Sequence, residues 1–379
     1  MPKNLFVYDY FYPAYQAGGP VQSLTNLTIA LNRNDDIAVV CSAVDLGGEG
    51  NLPGIFVNQW TTVILPASEA RVNVWYAKKL TGAIFGKCLH DTSCSIVYLN
   101  GMFSLRFVIG PLLRLYKSKI KVVLCPRGML QAGALTGKSF KKKVFLAALK
   151  LSGLVNNITW HATNEEEDKD IRKIFGNKVN IIVAANIPKL PVNKIIRSEK
   201  TKGCLRLIYL SLIAEKKNLL QLIELINKSS ANITLDIYGP VKDAVYWKKC
   251  EQVIAGGNGK IRYMGDRRPE EVQGIFSMYD AFILLTKGEN FGHALYESLS
   301  AGRPIITSYF TPWNKLEQKN AGWNLDISDP SDCINKLELI TNMDNELFNT
   351  FCYGAYEIAK SYYGAASDLT NYHKLFAAP

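Results

Sequence analysis

The segment from residue 286 to residue 302 has glycines and carboxylates at a spacing that suits a ligand-binding or catalytic site. It follows an apolar stretch (281–285) that predicts a buried strand, and it enters a short predicted helix near Gly292 that Gly302 ends. In a parallel sheet, the loop after such a strand opens at the carboxyl edge, where the amides of the next helix bind anions. The sequence therefore predicts an anion site formed by the amides of residues 291–294.

Two carboxylates flank this predicted helix start. Glu289 lies in the loop and Glu297 lies eight positions later, within the helix. A carboxylate accepts hydrogen bonds from vicinal hydroxyls, so the pair suits a ligand with phosphate in the middle and a sugar at each end. The alternative is that Glu289 only complements the helix dipole and that Glu297 is a solvated helix residue.

A second loop with small residues follows the first predicted strand (5–8). Gly18 and Gly19 have no Cβ, so their backbone can approach a pyrophosphate closely, although a plain turn is the alternative. His161 ends a predicted strand (157–160), and Thr163 with Glu166 predicts a capping box for the following helix. The histidine either bonds a ligand hydroxyl or is a satisfied structural residue.

No metal site and no cofactor are expected. Asp168 and Asp170 have a D-x-D spacing, but positions i and i+2 of a helix point apart and cannot converge on one ion. The eight cysteines contain no CxxC pair, and no apolar stretch is long enough to span a bilayer. These features favour a cytoplasmic protein.

The positive charge is concentrated in one region. The chain has 44 Lys and Arg against 33 Asp and Glu, and residues 101–150 contain eleven basic residues and no acidic one. Such a face suits an anionic partner, namely a phospholipid surface, a phosphate group or nucleic acid, or it is a solvated face without a partner. Residues 138–150 combine lysines with an apolar helical stripe through Phe140 and Val144, which predicts a helix lying on an anionic membrane. Docking of this stripe on its own domain is the alternative.

Apolar strands alternate with amphipathic helical patterns along most of the chain, which predicts parallel α/β packing. A lysine-rich stretch (188–203) interrupts the pattern, which restarts near residue 205. We therefore expect two Rossmann-like, doubly wound domains, at 1–190 and 191–357. The terminal helical stretch (358–379) is expected to return to the first domain.

The spacing of Glu289 and Glu297 resembles the E-x7-E motif of the family 4 glycosyltransferases. The order of several further segments also resembles this family; they are 18–24, 126–130, 161–167, 210–218, 237–240, 311–313 and 322–323. The resemblance implies the GT-B fold, with two Rossmann-like domains facing across a cleft. It also implies metal-independent, retaining transfer of a hexosyl or related group from a nucleotide-diphosphate sugar to a glycan or lipid-linked glycan, as in bacterial surface polysaccharide synthesis.

The resemblance assigns residues to roles. Glu297 matches the residue that holds the nucleotide ribose, and Glu289 matches the one that contacts the donor sugar. The resemblance also places the Gly18–Gly19 loop at the donor phosphates or the acceptor. The remaining donor-binding residues are then Asn290, Phe291, Gly292, His293 and Lys216.

One position departs from the family. Similar enzymes neutralise the leaving diphosphate with an Arg and, five residues later, a Lys; here Lys217 is present, but Leu212 occupies the Arg position. Arg127 is the first candidate replacement and Lys216 the second, with a surface turn residue as the alternative for Arg127. The departure leaves a second hypothesis open, a nucleotide-sugar-binding protein with little or no catalysis. Nucleic-acid binding is not expected, because no base-reading motif is present.

Overall fold

The computed structural model describes residues 3–32, 36–131, 135, 139–193, 199–257 and 259–377. The chain divides into two compact units. The first comprises Met1–Ile187 together with Ala366–Pro379, and the second comprises Pro188–Ala365.

The first unit contains an eight-stranded sheet in the order β3-β4-β2-β1-β5-β6-β7-β8. Strands β3 and β4 pair antiparallel, and every other neighbouring pair is parallel. The central strands are buried on both faces, as the apolar runs predicted. The strands are β1 (Asn4–Val7), β2 (Ile37–Ser42), β3 (Trp60–Ile64), β4 (Arg71–Ala77), β5 (Ile96–Asn100), β6 (Lys121–Cys125), β7 (Thr159–Ala162) and β8 (Asn180–Val183).

Helices connect these strands: α1 (Gly19–Leu31), α2 (Gly82–Thr92), α3 (Gly110–Leu115), α4 (Ser139–Leu151) and α5 (Glu165–Phe175). A π-helical turn (Leu105–Ile109) leads directly into α3. The predicted capping box of α5 is wrong by one position. Asn164 is the N-cap and accepts from the amide of Glu167 at 2.9 Å, while the Glu167 carboxylate accepts from the amide and hydroxyl of Thr163.

The second unit contains six parallel strands in the order β11-β10-β9-β12-β13-β14. They are β9 (Cys204–Leu210), β10 (Asn232–Tyr238), β11 (Ile261–Tyr263), β12 (Ala281–Leu284), β13 (Ile305–Ser308) and β14 (Gly322–Leu325). The strand order reverses between β9 and β12, and ligands of doubly wound folds bind at the carboxyl ends of the strands beside such a reversal. In the first sheet the order reverses between β1 and β5.

The helices of the second unit are α6 (Leu219–Lys228), α7 (Ala244–Ala255), α8 (Pro269–Phe276), α9 (His293–Ser300), α10 (Pro330–Asn342) and α11 (Asn345–Ala366). The last helix, α12 (Thr370–Leu375), belongs to the first unit. There the Tyr372 hydroxyl donates to the carbonyl of Ala185 at 2.7 Å, and Leu375 is fully buried. Among the described residues, no helix is both long enough and apolar enough to cross a membrane.

Candidate active site

The loop after β12 is fixed from both sides. The amide of Lys287 donates to the carbonyl of Lys216, in the loop after β9, and the amide of Glu289 donates to the carbonyl of Phe310, in the loop after β13. Both distances are 2.9 Å. The loop that carries Glu289 and Asn290 is therefore held at the carboxyl edge of the sheet, beside the reversal between β9 and β12.

Helix α9 begins directly after this loop. Gly292 is its N-cap, with φ at 77°, and a Cβ at this position would lie 2.6 Å from Cδ1 of Leu295. Both the left-handed backbone and the close approach require glycine here. Because glycine has no capping side chain, the first-turn amides of α9 are not occupied by their own N-cap residue.

Phe291 anchors the start of this helix. Its carbonyl accepts from Nε1 of Trp313 at 2.6 Å, and its ring packs against the rings of Trp313, Tyr362 and His293. The side chain is buried, so it supports the loop from beneath. His293, the first residue of α9, contacts the edge of this aromatic cluster.

The two carboxylates are largely shielded from water and each is paired with a lysine. The side chain of Glu289 is 13% exposed and pairs with Lys217. That of Glu297 is 11% exposed, and its Oε1 lies 3.0 Å from Nζ of Lys189. The alternative that Glu297 is a solvated helix residue is therefore wrong.

Two lysines approach the loop from the short 3-10 helix after β9 (Glu215–Lys217). Lys217 pairs with Glu289, and Nζ of Lys216 lies 3.8 Å from the position that a Cβ on Gly288 would take. All four of these charged residues belong to the second unit. Lys216 and Lys217 both contact the loop that carries Glu289.

Arg127 and His161 belong to the first unit, where Tyr98 links them. The Arg127 guanidinium donates to Oδ1 of Asn100 at 2.6 Å, to Oδ1 of Asn186, and to the hydroxyl of Tyr98 at 3.0 Å. Arg127 is buried, with φ at 55°, so the alternative of a surface turn residue is wrong. Its guanidinium is engaged within the first unit.

His161 lies in β7 and its ring is fully buried, and both ring nitrogens have protein partners. Nε2 lies 2.9 Å from the carbonyl of Ala184, which only accepts, so Nε2 carries the proton. Nδ1 then accepts from the Tyr98 hydroxyl, also at 2.9 Å. Burial, reinforced by the charge of Arg127, lowers the pKa of His161 to about 3. These contacts favour the structural alternative for this histidine.

Gly18 and Gly19 lie at the N-terminus of α1. Gly18 is the N-cap, with φ at 72°, and Gly19 is the first helical residue. The carboxylate of Asp45 holds the preceding loop by accepting from the amides of Tyr15 and Gln16, at 2.9 and 3.1 Å. Nothing in the sequence analysis singled out Asp45, because its partners lie about 30 residues away.

Metal-ligand clusters are absent from the described part of the chain: no three His, Cys, Asp or Glu residues come close enough to hold an ion. Asp168, from the D-x-D sequence, forms an ion pair with Arg172 at 3.0 Å. It therefore acts as a helix-stabilising partner at i,i+4.

Comparison with known proteins identifies the fold. The structure of HepE (Alr3699) from Anabaena in complex with UDP and glucose matches with a TM-score of 0.74 and 14% identity, over 99% of each chain. Sucrose-phosphate synthase from Thermosynechococcus elongatus matches with a TM-score of 0.78 and 12% identity, over 100% of each chain. WaaG, a glycosyltransferase involved in lipopolysaccharide biosynthesis, matches with a TM-score of 0.62 and 14% identity, over 97% of this chain and 99% of its own.

The chain has the GT-B fold. This confirms the predicted fold class, since each unit contains a Rossmann-like sheet. Identities of 12–14% show the fold alone. Residues 193–356 of this GT-B chain match the family model of the group 1 glycosyl transferases, and this range includes Lys217, Glu289 and Glu297. A search of curated protein sequences finds no significant match.

Proposed function

We propose that this protein is a retaining glycosyltransferase of family 4 that transfers a hexosyl or related sugar from a nucleotide-diphosphate donor. The observation that carries the proposal is the arrangement around the loop after β12. Two shielded carboxylates, Glu289 and Glu297, flank a helix N-terminus whose glycine N-cap provides no capping side chain. The match of residues 193–356 to the group 1 glycosyl transferases supports the same reaction class.

The proposal assigns each part of the donor to a part of the site. The diphosphate lies at the first-turn amides of α9, because a helix N-terminus attracts anions. Glu297 binds the ribose hydroxyls and Glu289 binds the donor sugar. UDP-sugars are the first donors to test, because HepE was solved with UDP and with UDP-glucose.

The proposed reaction is a front-face displacement. The bond from the anomeric carbon to the phosphate oxygen breaks, the acceptor oxygen attacks from the same face, and the leaving phosphate oxygen takes the acceptor proton. Lys217 and the amides of α9 stabilise the negative charge that develops on the diphosphate. When donor binds, Lys217 can share its three donors between Glu289 and the phosphate.

Lys216 is the better replacement for the arginine missing at Leu212. Its ammonium lies beside Gly288, in the loop that carries Glu289. Arg127, in contrast, uses its guanidinium to bind Asn100, Asn186 and Tyr98. We therefore assign Arg127 a positioning role within the first unit, just beyond the carboxyl end of β6.

The acceptor is proposed to be a glycan or a lipid-linked glycan at an anionic membrane surface, which the protein meets from the cytoplasmic side of the plasma membrane. Helix α4 supports this proposal because it has two apolar faces. Leu146 and Leu149 are buried against the first unit, while Phe140 and Leu151 are 78% and 87% exposed. The predicted lysine Lys138 lies outside the described residues.

The neighbouring segment extends the exposed apolar surface. The ring of Phe103, next to the π-helical turn, contacts Phe145 of α4 with centroids 5.5 Å apart. Within residues 105–116, Leu105, Leu113 and Tyr116 are exposed. Both segments also carry exposed cations, as expected for lipid-facing segments; they are Arg106, Arg114, Lys117, Lys119, Lys141, Lys143 and Lys150.

A donor panel tests the proposed reaction. UDP-, GDP- and ADP-sugars would be incubated with the protein in excess EDTA, and the release of each nucleoside diphosphate measured. Release from one donor class in EDTA supports metal-independent transfer. Activity that EDTA abolishes and Mg²⁺ restores would contradict metal independence. Donor binding without turnover would favour the second candidate, a nucleotide-sugar-binding protein, for which the leucine at position 212 is the motivating observation.

A further inference from the structure

We propose that Lys189 orients the Glu297 carboxylate and thereby sets the affinity for the donor nucleotide. The inference rests on the proposed function and adds a positioning residue to it. Lys189 lies in the lysine-rich stretch (188–203) that interrupts the strand and helix pattern, and no motif singled it out.

Two adjacent residues of α9 hold Lys189. Its Nζ lies 3.0 Å from Oε1 of Glu297, and its carbonyl accepts from the hydroxyl of Tyr296 at 2.9 Å. Three residues later, the carbonyl of Val192 accepts from the hydroxyl of Tyr356 at 2.8 Å. The backbone is thus held at the lysine and again three residues after it, so the ammonium meets the carboxylate in a defined place.

The environment of the carboxylate makes this contact important. The Glu297 side chain is mostly buried, so the charged form needs a compensating partner. A carboxylate has about four lone-pair sites and an ammonium has three donors, so neither group is saturated by the contact between them. The ion pair can therefore bind the two ribose hydroxyls together, with the carboxylate accepting and the ammonium donating.

This arrangement predicts coupling between the two side chains. Without Lys189, the carboxylate loses the partner that fixes its rotamer. Without Glu297, the ammonium of Lys189 loses the ion pair that holds it at the proposed ribose site. Replacing either residue is therefore expected to remove most of the same contribution to nucleotide affinity, and replacing both should cost little more than replacing one.

The test is a double-mutant cycle in nucleotide binding, measured by isothermal titration calorimetry with UDP, GDP and ADP on the full-length protein. The variants are Lys189→Met, Glu297→Gln and the double variant. Lys189→Arg tests rescue by a conserved charge. Lys336→Met is the matched control, because Lys336 is also ion-paired at 3.0 Å, but with Glu317 outside the proposed site.

We expect Lys189→Met to lower the affinity for the nucleotide roughly tenfold or more, which is the contribution of about one charge-assisted hydrogen bond. The double variant should bind about as weakly as Glu297→Gln alone. Lys189→Arg should retain most of the affinity, and Lys336→Met all of it. In turnover, Lys189→Met should raise the donor KM more than it lowers kcat, which a loss of folding would not do.

Two outcomes would overturn the inference alone: wild-type protein that binds a nucleotide while Lys189→Met binds it equally well, or additive effects in the cycle. Wild-type protein that binds none of the three nucleotides would overturn the proposed function as well.

Discussion

The ammonium of Lys217 pairs with the carboxylate of Glu289, although the two residues are 72 positions apart. The pair joins the loops that follow β9 and β12, the two strands beside the reversal of strand order. The proposed cation for the diphosphate and the proposed carboxylate for the donor sugar are thus held against each other at the carboxyl edge of the second sheet.

Replacement of Glu289 tests this pair. Glu289→Gln should lower kcat by roughly one to two decades, because a neutral amide cannot orient Lys217 or bind the sugar hydroxyls as strongly. Glu215→Gln is the matched control, since Glu215 also links the segment after β9 to the loop after β12, through Lys287 at 3.8 Å, but is largely exposed. Steady-state kinetics with the preferred donor measures both variants. An unchanged kcat in Glu289→Gln would show that Glu289 has no role in the reaction.

The cation missing at Leu212 gives a second prediction. Lys216→Gln should lower kcat by about one to two decades, because one charge-assisted contact to the leaving diphosphate is lost. Leu212→Arg in that background should recover part of the loss. A Lys216→Gln enzyme with wild-type kinetics would show that Lys216 does not replace the missing arginine. Arg127→Lys would then be the next variant to assay.

The strands apolar on both faces were predictable from sequence, because central parallel strands need no polar face. The edge strand β3 and its antiparallel neighbour β4 escaped prediction; β3 is only partly buried and its pattern is mixed. Helix α4 was predicted with one apolar stripe, through Phe140 and Val144. It has a second, buried one at Leu146 and Leu149, which only the packing of the first unit reveals.

The site was predictable only in part. Glu289 and Glu297 resemble one motif of fixed spacing and Lys217 fits one position of another, so the sequence singled out these three residues. The partners of Glu297 and His161 did not follow from spacing, because Lys189, Tyr98 and Ala184 are distant in sequence and meet them only through the fold.

The buried His161 predicts a pH-dependent stability of the first unit. Its pKa is about 3 in the folded chain and about 6.5 when unfolded. The unfolded state therefore binds more protons between these values, so the stabilising contribution is complete above pH 6.5 and declines as the pH falls below it. The free energy of unfolding should fall by about 1 kcal/mol from pH 7 to pH 5.5 through this residue.

Chemical denaturation of wild type and His161→Gln over this pH range measures the effect. The variant is expected to be less stable at pH 7, because the ring bridges Tyr98 and Ala184, but its stability should fall less on acidification. Identical pH dependence in both proteins would show that His161 is not the titrating group.

The patch formed by α4 and residues 105–116 predicts binding to anionic vesicles. Near a charged leaflet each lysine contributes about 1 kcal/mol. Sedimentation with anionic vesicles at low salt should therefore pull down wild type, and high salt or neutral lipid should weaken the binding. Lys141, Lys142 and Lys143 changed together to Gln should reduce it.

The matched control changes three lysines of the second unit, Lys242, Lys248 and Lys249, to Gln, which removes the same charge from another exposed surface. Equal loss of binding in the two triple variants would show that only net charge matters. Indifference to lipid charge would leave the patch to a soluble acceptor.

The central claim is that Glu297 binds the ribose of a nucleotide-diphosphate sugar, and calorimetric titration of wild type and Glu297→Ala with UDP, GDP and ADP tests it most directly. Wild type is expected to bind at least one of the three nucleotides. Glu297→Ala should bind it roughly tenfold or more weakly, because the hydrogen bonds to two hydroxyls are lost. Thermal denaturation checks that the variant is folded. Equal nucleotide affinity of folded Glu297→Ala and wild type would contradict the assignment of the donor site.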